Sequence, residues 1–256
     1  MQKRNDHNSI MLLRDALQLG DYRIDVAKEK LTKYREYLEG KFDKDKDRKR
    51  QKLGLVEFRT DATWQCWTSD GSVVLVLSGK HDAGVSLTVM DSWLSPVAVD
   101  LIQDLLEQKR LVAFEMCKET STIEVVLAHL IYQLLDQNPK VIRDADNWKE
   151  IEGQISNRGS DPRERLLAAL LKIIDLQDKR EHVYIVLNRP ELNDGEDVAA
   201  YINTMLMLAR KTKGVLKVLI VQRSDMWEIE ENKHGILQGM DQKFLQRVRL
   251  DQRRVR

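Results

Sequence analysis

An α/β fold, a parallel sheet flanked by helices with an N-terminal helical arm, is the architecture this sequence predicts. Three observations lead there. Four short runs are almost entirely apolar and rich in β-branched residues: SVVLVLSG at 72–79, LVAFEM at 111–116, VYIVL at 183–187 and LKVLIV at 216–221. A strand covered on both faces reads this way, because neither side of it meets water. Between the runs lie stretches whose apolar residues recur every three or four positions: Val97–Gln108, Thr122–Leu135, Glu164–Leu176 and Val198–Arg210. The third observation is their alternation. Parallel strands need long crossovers, and a helix fills each one. The four runs are therefore expected to be adjacent parallel strands, with the run that ends in Gly79 placed centrally.

The elements divide the chain into three parts. Residues 1–40 read as a helical arm. Ile10, Leu13 and Leu17 share one face, Gly20 interrupts, and Val26, Leu31, Tyr34 and Leu38 resume the stripe. A helix of this length is marginal alone in water, so the stripe must pack against something. Leu13, Leu17, Leu31 and Tyr34 are thus candidate contact residues toward a partner or the core. Residues 41–52, KFDKDKDRKRQK, carry one aromatic and no other apolar side chain. They can bury no face and read as a charged linker. Residues 53–256 form the core domain. It opens with LGLVEF, TWQCW and the turn Ser69-Asp70-Gly71. It closes on QKFLQRVRLDQRRVR, an edge strand or helix with outward arginines.

Composition narrows the function. Lysine and arginine number 42 against 41 acids, a formal net charge of +1, so a uniformly basic nucleic-acid binder is not expected. Cys66 and Cys117 are the two cysteines and form no metal-binding pair, which fits a reducing compartment. No apolar run is long enough to span a bilayer, and the N-terminus lacks the pattern of a signal peptide. A cytosolic or nuclear protein with no membrane partner is expected.

The loop after the first strand carries the functional signal. It reads SGKHDAGVSL over residues 78–87. In a phosphate-binding loop of the form GxxxxGK[ST], backbone N–H groups cradle phosphate, the lysine meets the terminal phosphates and the hydroxyl holds Mg²⁺. Gly79, Gly84 and Ser86 match that pattern, whereas Val85 stands in the lysine position. Asp82 adds a carboxylate to a loop meant for a polyanion. At ~4 Å two like charges repel by about 4 kcal/mol at an effective dielectric near 20. Lys80 offsets part of this from the start of the loop. Two glycines and a serine also suit a plain strand-to-helix turn.

With its aromatic lead-in, TWQCWTSDGSVVLVLSGKHDAGVSL resembles the loop of NACHT-like, STAND-type NTPases, common in fungal intracellular receptors. VVLAHLIYQLLDQNP at 125–139 resembles the helix after that family's second strand. The resemblance covers roughly residues 55–225. It implies a P-loop NTPase-like core, a Walker B acid at the end of VYIVLNRPEL and a sensor arginine after LKVLIVQRSD. Asn188 stands at the first position, followed by Arg189, and Arg223 at the second. An amide can ligate a metal but brings no charge. With Asp82, Val85 and Asn188 departing together, neither Mg²⁺ retention nor phosphoryl transfer is expected, and no cofactor.

Other chemistry finds little support. The five histidines are scattered without metal spacing, and no sequence pattern nominates a base for Cys117. Trp64 and Trp67 offer either an interaction surface or packing under the sheet. The expectation is a non-enzymatic pseudo-NTPase scaffold that mediates protein–protein contact or self-association within a larger complex. Two alternatives stand beside it: a regulatory switch that binds ATP or GTP weakly, and a nucleic-acid-associated factor using residues 41–52 and the arginine-rich tail.

Overall fold

The computed structural model describes residues 10–44, 53–80, 92–157, 159–178, 181–193, 198–223 and 244–251. Most of the charged segment, residues 45–52, and most of the phosphate-type loop fall outside these. So do Asp82, Gly84, Val85 and Ser86. The helical elements before the sheet are α1 (10–16), α2 (Ile24–Lys44), α3 (Leu55–Phe58) and α4 (Ala62–Thr68). Strand β1 is Val73–Lys80 and is followed by α5, Ser95–Glu107. Strand β2 (Leu111–Met116) leads into α6 (Ile123–Gln137), α7 (Lys140–Arg143), α8 (Ala145–Ser156) and α9 (Pro162–Asp175). Strand β3 (His182–Asn188), α10 (Val198–Lys211), β4 (Val215–Arg223) and β5 (Leu245–Asp251) complete the order.

The five strands make one sheet in the order β2-β3-β4-β1-β5, and every pairing is parallel. The four apolar runs are adjacent, as their composition requires. β1 is interior, between β4 and β5, but β4 is the middle strand. The tail contributes β5 at the edge. A side-chain period of two sends alternate residues to opposite faces. Val74, Val76, Ala113, Ile185, Leu187, Val218 and Ile220 pack with α6 to α10 on one face. Val73, Leu75, Leu77, Val112, Phe114, Val186, Leu219 and Val221 pack with α2 to α5 on the other. The result is a three-layer α/β/α domain.

The helices start where local chemistry starts them. Asp61, Asp144 and Asp161 cap α4, α8 and α9, each accepting from a backbone N–H one turn in. Thr122 does the same for α6, accepting from the N–H of Val125 at 3.4 Å.

The edge strand β2 is closed by side chains. Gln133 Nε2 donates to the Phe114 carbonyl at 2.8 Å, and the Phe114 N–H donates to Gln133 Oε1 at 3.0 Å. Gln137 does the same for Val112, at 2.7 and 3.2 Å. The spacing explains the match. Four helical residues rise about 6 Å and two strand residues about 6.7 Å, so glutamines four apart meet peptide groups two apart. Each amide offers the donor and acceptor that a neighbouring strand would.

The arm is part of this core. Leu13 and Leu17 are buried in the α6–α10 face together with Leu19. Leu31 and Leu38 are buried in the α2–α5 face. The chain turns between the two helices at Gly20, whose φ of 53° is left-handed and favours glycine. Arg14 Nε donates to the Gly20 carbonyl at 3.2 Å and holds the turn. Residues 10–44 therefore pass from one face of the sheet to the other. Of the two expectations for this stripe, a partner or the core, the core is what meets Leu13, Leu17 and Leu31: each leucine packs within the chain and none is an outward contact. The helix also runs on to Lys44, into the segment assigned to the linker.

Among the described residues no helix is long and apolar enough to cross a membrane.

Candidate functional site

The carboxyl ends of parallel strands are where an open α/β sheet presents its ligand sites. Here β1 delivers Gly79, β3 delivers Asn188, and β4 delivers Gln222 and Arg223 to the same end of the sheet. Because β4 lies between β1 and β3, Gly79 pairs with Arg223 and Asn188 with Val221. The residues expected at the loop, the Walker B position and the sensor position thus share one edge of the sheet.

Gly79 is a glycine for reasons of space. A Cβ built on it would lie 2.5 Å from Leu94 Cδ1 and 2.9 Å from both Leu94 Cγ and Trp93 Nε1. Leu94 is fully buried at the N-terminus of α5, so it has no room to retreat. Lys80 is the last residue of β1 and pairs with Asp251 of β5.

Asn188 and Arg189 are almost completely buried, at 2% and 1% exposure. The Asn188 carbonyl accepts from the Cys117 N–H at 2.9 Å, which ties β3 to the segment after β2. Arg189 adopts a left-handed conformation, φ 63° and ψ 49°, and its N–H donates to the Val221 carbonyl at 2.8 Å. A non-glycine residue held there costs about 1 kcal/mol or more and persists only where its surroundings fix it. The fixing partner is Glu191, in the 3-10 turn Pro190–Leu192, whose carboxylate accepts from Arg189 Nε. Both side chains are buried, so a buried ion pair stands beside Asn188.

The pair and its neighbours still leave polar atoms unmatched. Among the described residues, Asn188 Oδ1, Arg189 Nη1, Glu191 Oε2, Gln222 Oε1 and Trp93 Nε1 are buried without a hydrogen-bond partner. Each such atom costs about 1–3 kcal/mol, so a cluster of them calls for a ligand, water or a further segment. Gln222 is anchored at its other end by Nε2 donating to Ser78 Oγ at 3.1 Å.

Beside this cluster, between the N-terminal segment and the ends of β2 and β3, lies a cavity of about 530 Å³. Tyr22 stacks on His129, centroids 3.7 Å apart and planes 16° from parallel. His129 Nδ1 is 2.8 Å from Glu115 Oε2. Gln133 Nε2 donates to the Tyr22 hydroxyl at 2.7 Å. Burial, then the Glu115 carboxylate, holds the Tyr22 hydroxyl protonated well above its ordinary range. Tyr34 stands near Ser95, Arg189 and Asn188, and burial raises its hydroxyl as well. Cys117 lines the same space, but burial and the nearby acids Glu115 and Glu191 push its thiol well up, away from nucleophilic character.

The remaining candidates are structural. Trp67 is buried on α4, its indole Nε1 donating to the Val218 carbonyl at 3.3 Å. Trp64 is half-buried and packs on Trp67 and Phe58. Both lie under the sheet and not on an open surface. Sequence reasoning missed the cavity, because its walls come from four separate segments. It also missed the Arg189–Glu191 pair, whose signal was an acid two residues after the arginine across Pro190.

One solved structure, titled "Structure of Drosophila ORC bound to GC-rich DNA and Cdc6", is similar at 15% identity and a TM-score of 0.38. The match covers 94% of this chain and 32% of that one. Comparison with curated proteins gives no match. Residues 56–223 match the family described as Nephrocystin 3, N-terminal, a span running from α3 to the end of β4. With most of its length inside that match, the chain belongs to the nephrocystin 3 N-terminal family.

Proposed function

We propose that this P-loop NTPase-like domain is a pseudo-NTPase: it does not hydrolyse nucleotide and serves as a scaffold for protein–protein contact within a larger assembly. The end of β3 carries the reading. Asn188 supplies no charge where a metal-holding acid would stand, and the adjacent cation, Arg189, is buried and engaged by Glu191. A divalent metal next to that arginine would be repelled unless the pair rearranged. Val85 in the lysine position and Asp82 in the loop point the same way from the sequence. The test is phosphate release by the purified chain with Mg²⁺ and ATP or GTP. No turnover above background is expected. Metal-dependent turnover that disappears in Ser86→Ala would overturn the proposal. The scaffold half is tested by sedimentation of the chain alone and with candidate partners, in the cytosolic or nuclear setting that its free cysteines suit.

A second reading, a STAND-type switch that holds ATP or GTP weakly without cleaving it, is favoured by the unmatched Gln222 Oε1 and Trp93 Nε1 near the end of β1. Calorimetric titration separates the two: the scaffold reading expects no heat from either nucleotide.

A further inference from the structure

The cavity beneath α2 has features of a small-molecule site that neither nucleotide chemistry nor scaffolding requires. Its volume of about 530 Å³ lies within the range of roughly 300–1,000 Å³ typical of ligand pockets. One wall is apolar and aromatic: Tyr22 stacked on His129, with Val26, Phe114 and Leu192 around it. Such a wall suits a flat hydrocarbon or aromatic body. At the inner end stand two almost fully buried side chains with unmatched atoms, the donor Arg189 Nη1 and the acceptor Asn188 Oδ1. A ligand that satisfies both needs an anionic or acceptor group for the first and an N–H or O–H for the second. The charged groups lining the cavity favour an anion. Arg23 is paired with Asp25, Arg189 with Glu191 and Glu115 with His129, which leaves Lys30 and Lys118 against Asp21, a small excess of positive charge.

We propose that this cavity binds an amphipathic aromatic monoanion carrying an N–H or O–H donor, seated between α2 and the carboxyl ends of β2 and β3. Its body lies along the Tyr22–His129 stack, its acid group meets Arg189, and its donor meets Asn188. Since α2 forms one wall, the ligand also holds the N-terminal segment on the core.

The probe is 8-anilinonaphthalene-1-sulfonate, which has the aromatic body, one negative charge and an N–H. It is titrated by fluorescence into the whole chain under native conditions. One saturable site per chain is expected. N-phenyl-1-naphthylamine keeps the body and the N–H but lacks the sulfonate, and it should bind at least about tenfold more weakly, a difference readily resolved by titration. Ala27→Trp fills the cavity from α2, and Val125→Trp fills it from α6. Each should weaken binding by a similar factor with the thermal melt unchanged. Val125 is 39% exposed, so its variant keeps the core intact and decides the matter if Ala27→Trp misfolds. Equal affinity for the neutral analogue, wild-type binding by Val125→Trp, or competitive displacement by Mg²⁺–ATP would each overturn the assignment. The last would make the cavity part of a nucleotide site.

Discussion

Lys217 gives the sharpest test of how this core is built. It sits on β4, 1% exposed, on the face covered by α2 to α5. Its Nζ donates to the Gly71 carbonyl at 2.6 Å and to the Ser69 carbonyl, and so anchors the turn that leads into β1. Burial lowers its pKa from 10.5 to about 8, only partly opposed by Asp70. The neutral amine keeps two N–H groups, enough for both carbonyls, so deprotonation leaves the anchor in place. Between pH 8 and 10.5 the unfolded chain holds a proton at this lysine that the folded chain has released. Stability contributed by this group therefore rises with pH across that window. The full shift corresponds to about 3 kcal/mol. Cys117 and the buried tyrosines work in the opposite sense at high pH, since their folded pKa values are raised. The measurement is accordingly a difference. Urea unfolding of wild type and Lys217→Met is followed from pH 7.5 to 10.5, and the wild type should gain about 2–3 kcal/mol relative to the variant. A difference that stays flat across the window, or that falls, would refute an amine buried at this cost.

Three further outcomes follow from the packing. Leu13→Asp and Leu17→Asp each place a carboxylate in the core and should lower unfolding free energy by about 3 kcal/mol or more, with loss of the whole cooperative transition and not of binding alone; urea denaturation monitored by circular dichroism reads this. Gly79→Ala drives a methyl group into Leu94 and should destabilise by about 1–3 kcal/mol with or without any nucleotide present, measured as a fall in Tm. Tyr22→Phe removes the hydroxyl that accepts from Gln133 and should cost about 1 kcal/mol, while leaving the stack on His129 intact; paired urea melts give the value.

Much of the sheet was legible because a strand buried on both faces must be apolar throughout, and 73–78, 111–116, 183–187 and 216–221 are nearly so. The position of Asn188 was legible for the same reason, since the apolar run stops there. What the arm packs against was not. The spacing of Leu13, Leu17, Leu31 and Leu38 reports that a stripe is covered, and that signal is the same for a partner and for the chain's own sheet. The left-handed turn at Arg189 left no mark either, because a buried arginine and an exposed one are spelled alike until the partner is known. β1 was expected at the centre; in the order β2-β3-β4-β1-β5 it is interior only because the tail, read as an edge strand or helix, adds β5 outside it, and the middle place falls to β4.

The paired amides of Gln133 and Gln137 have a consequence for how copies of this domain can meet. A sheet grows by adding strands where backbone groups stand open, and proteins with two open edges can stack without limit. Here the β2 edge has peptide groups at 112 and 114 already matched by side chains of the same chain. A strand arriving at this edge would first have to displace both glutamines and break the four hydrogen bonds they make. The glutamines thus act as terminators of the sheet on the β2 side.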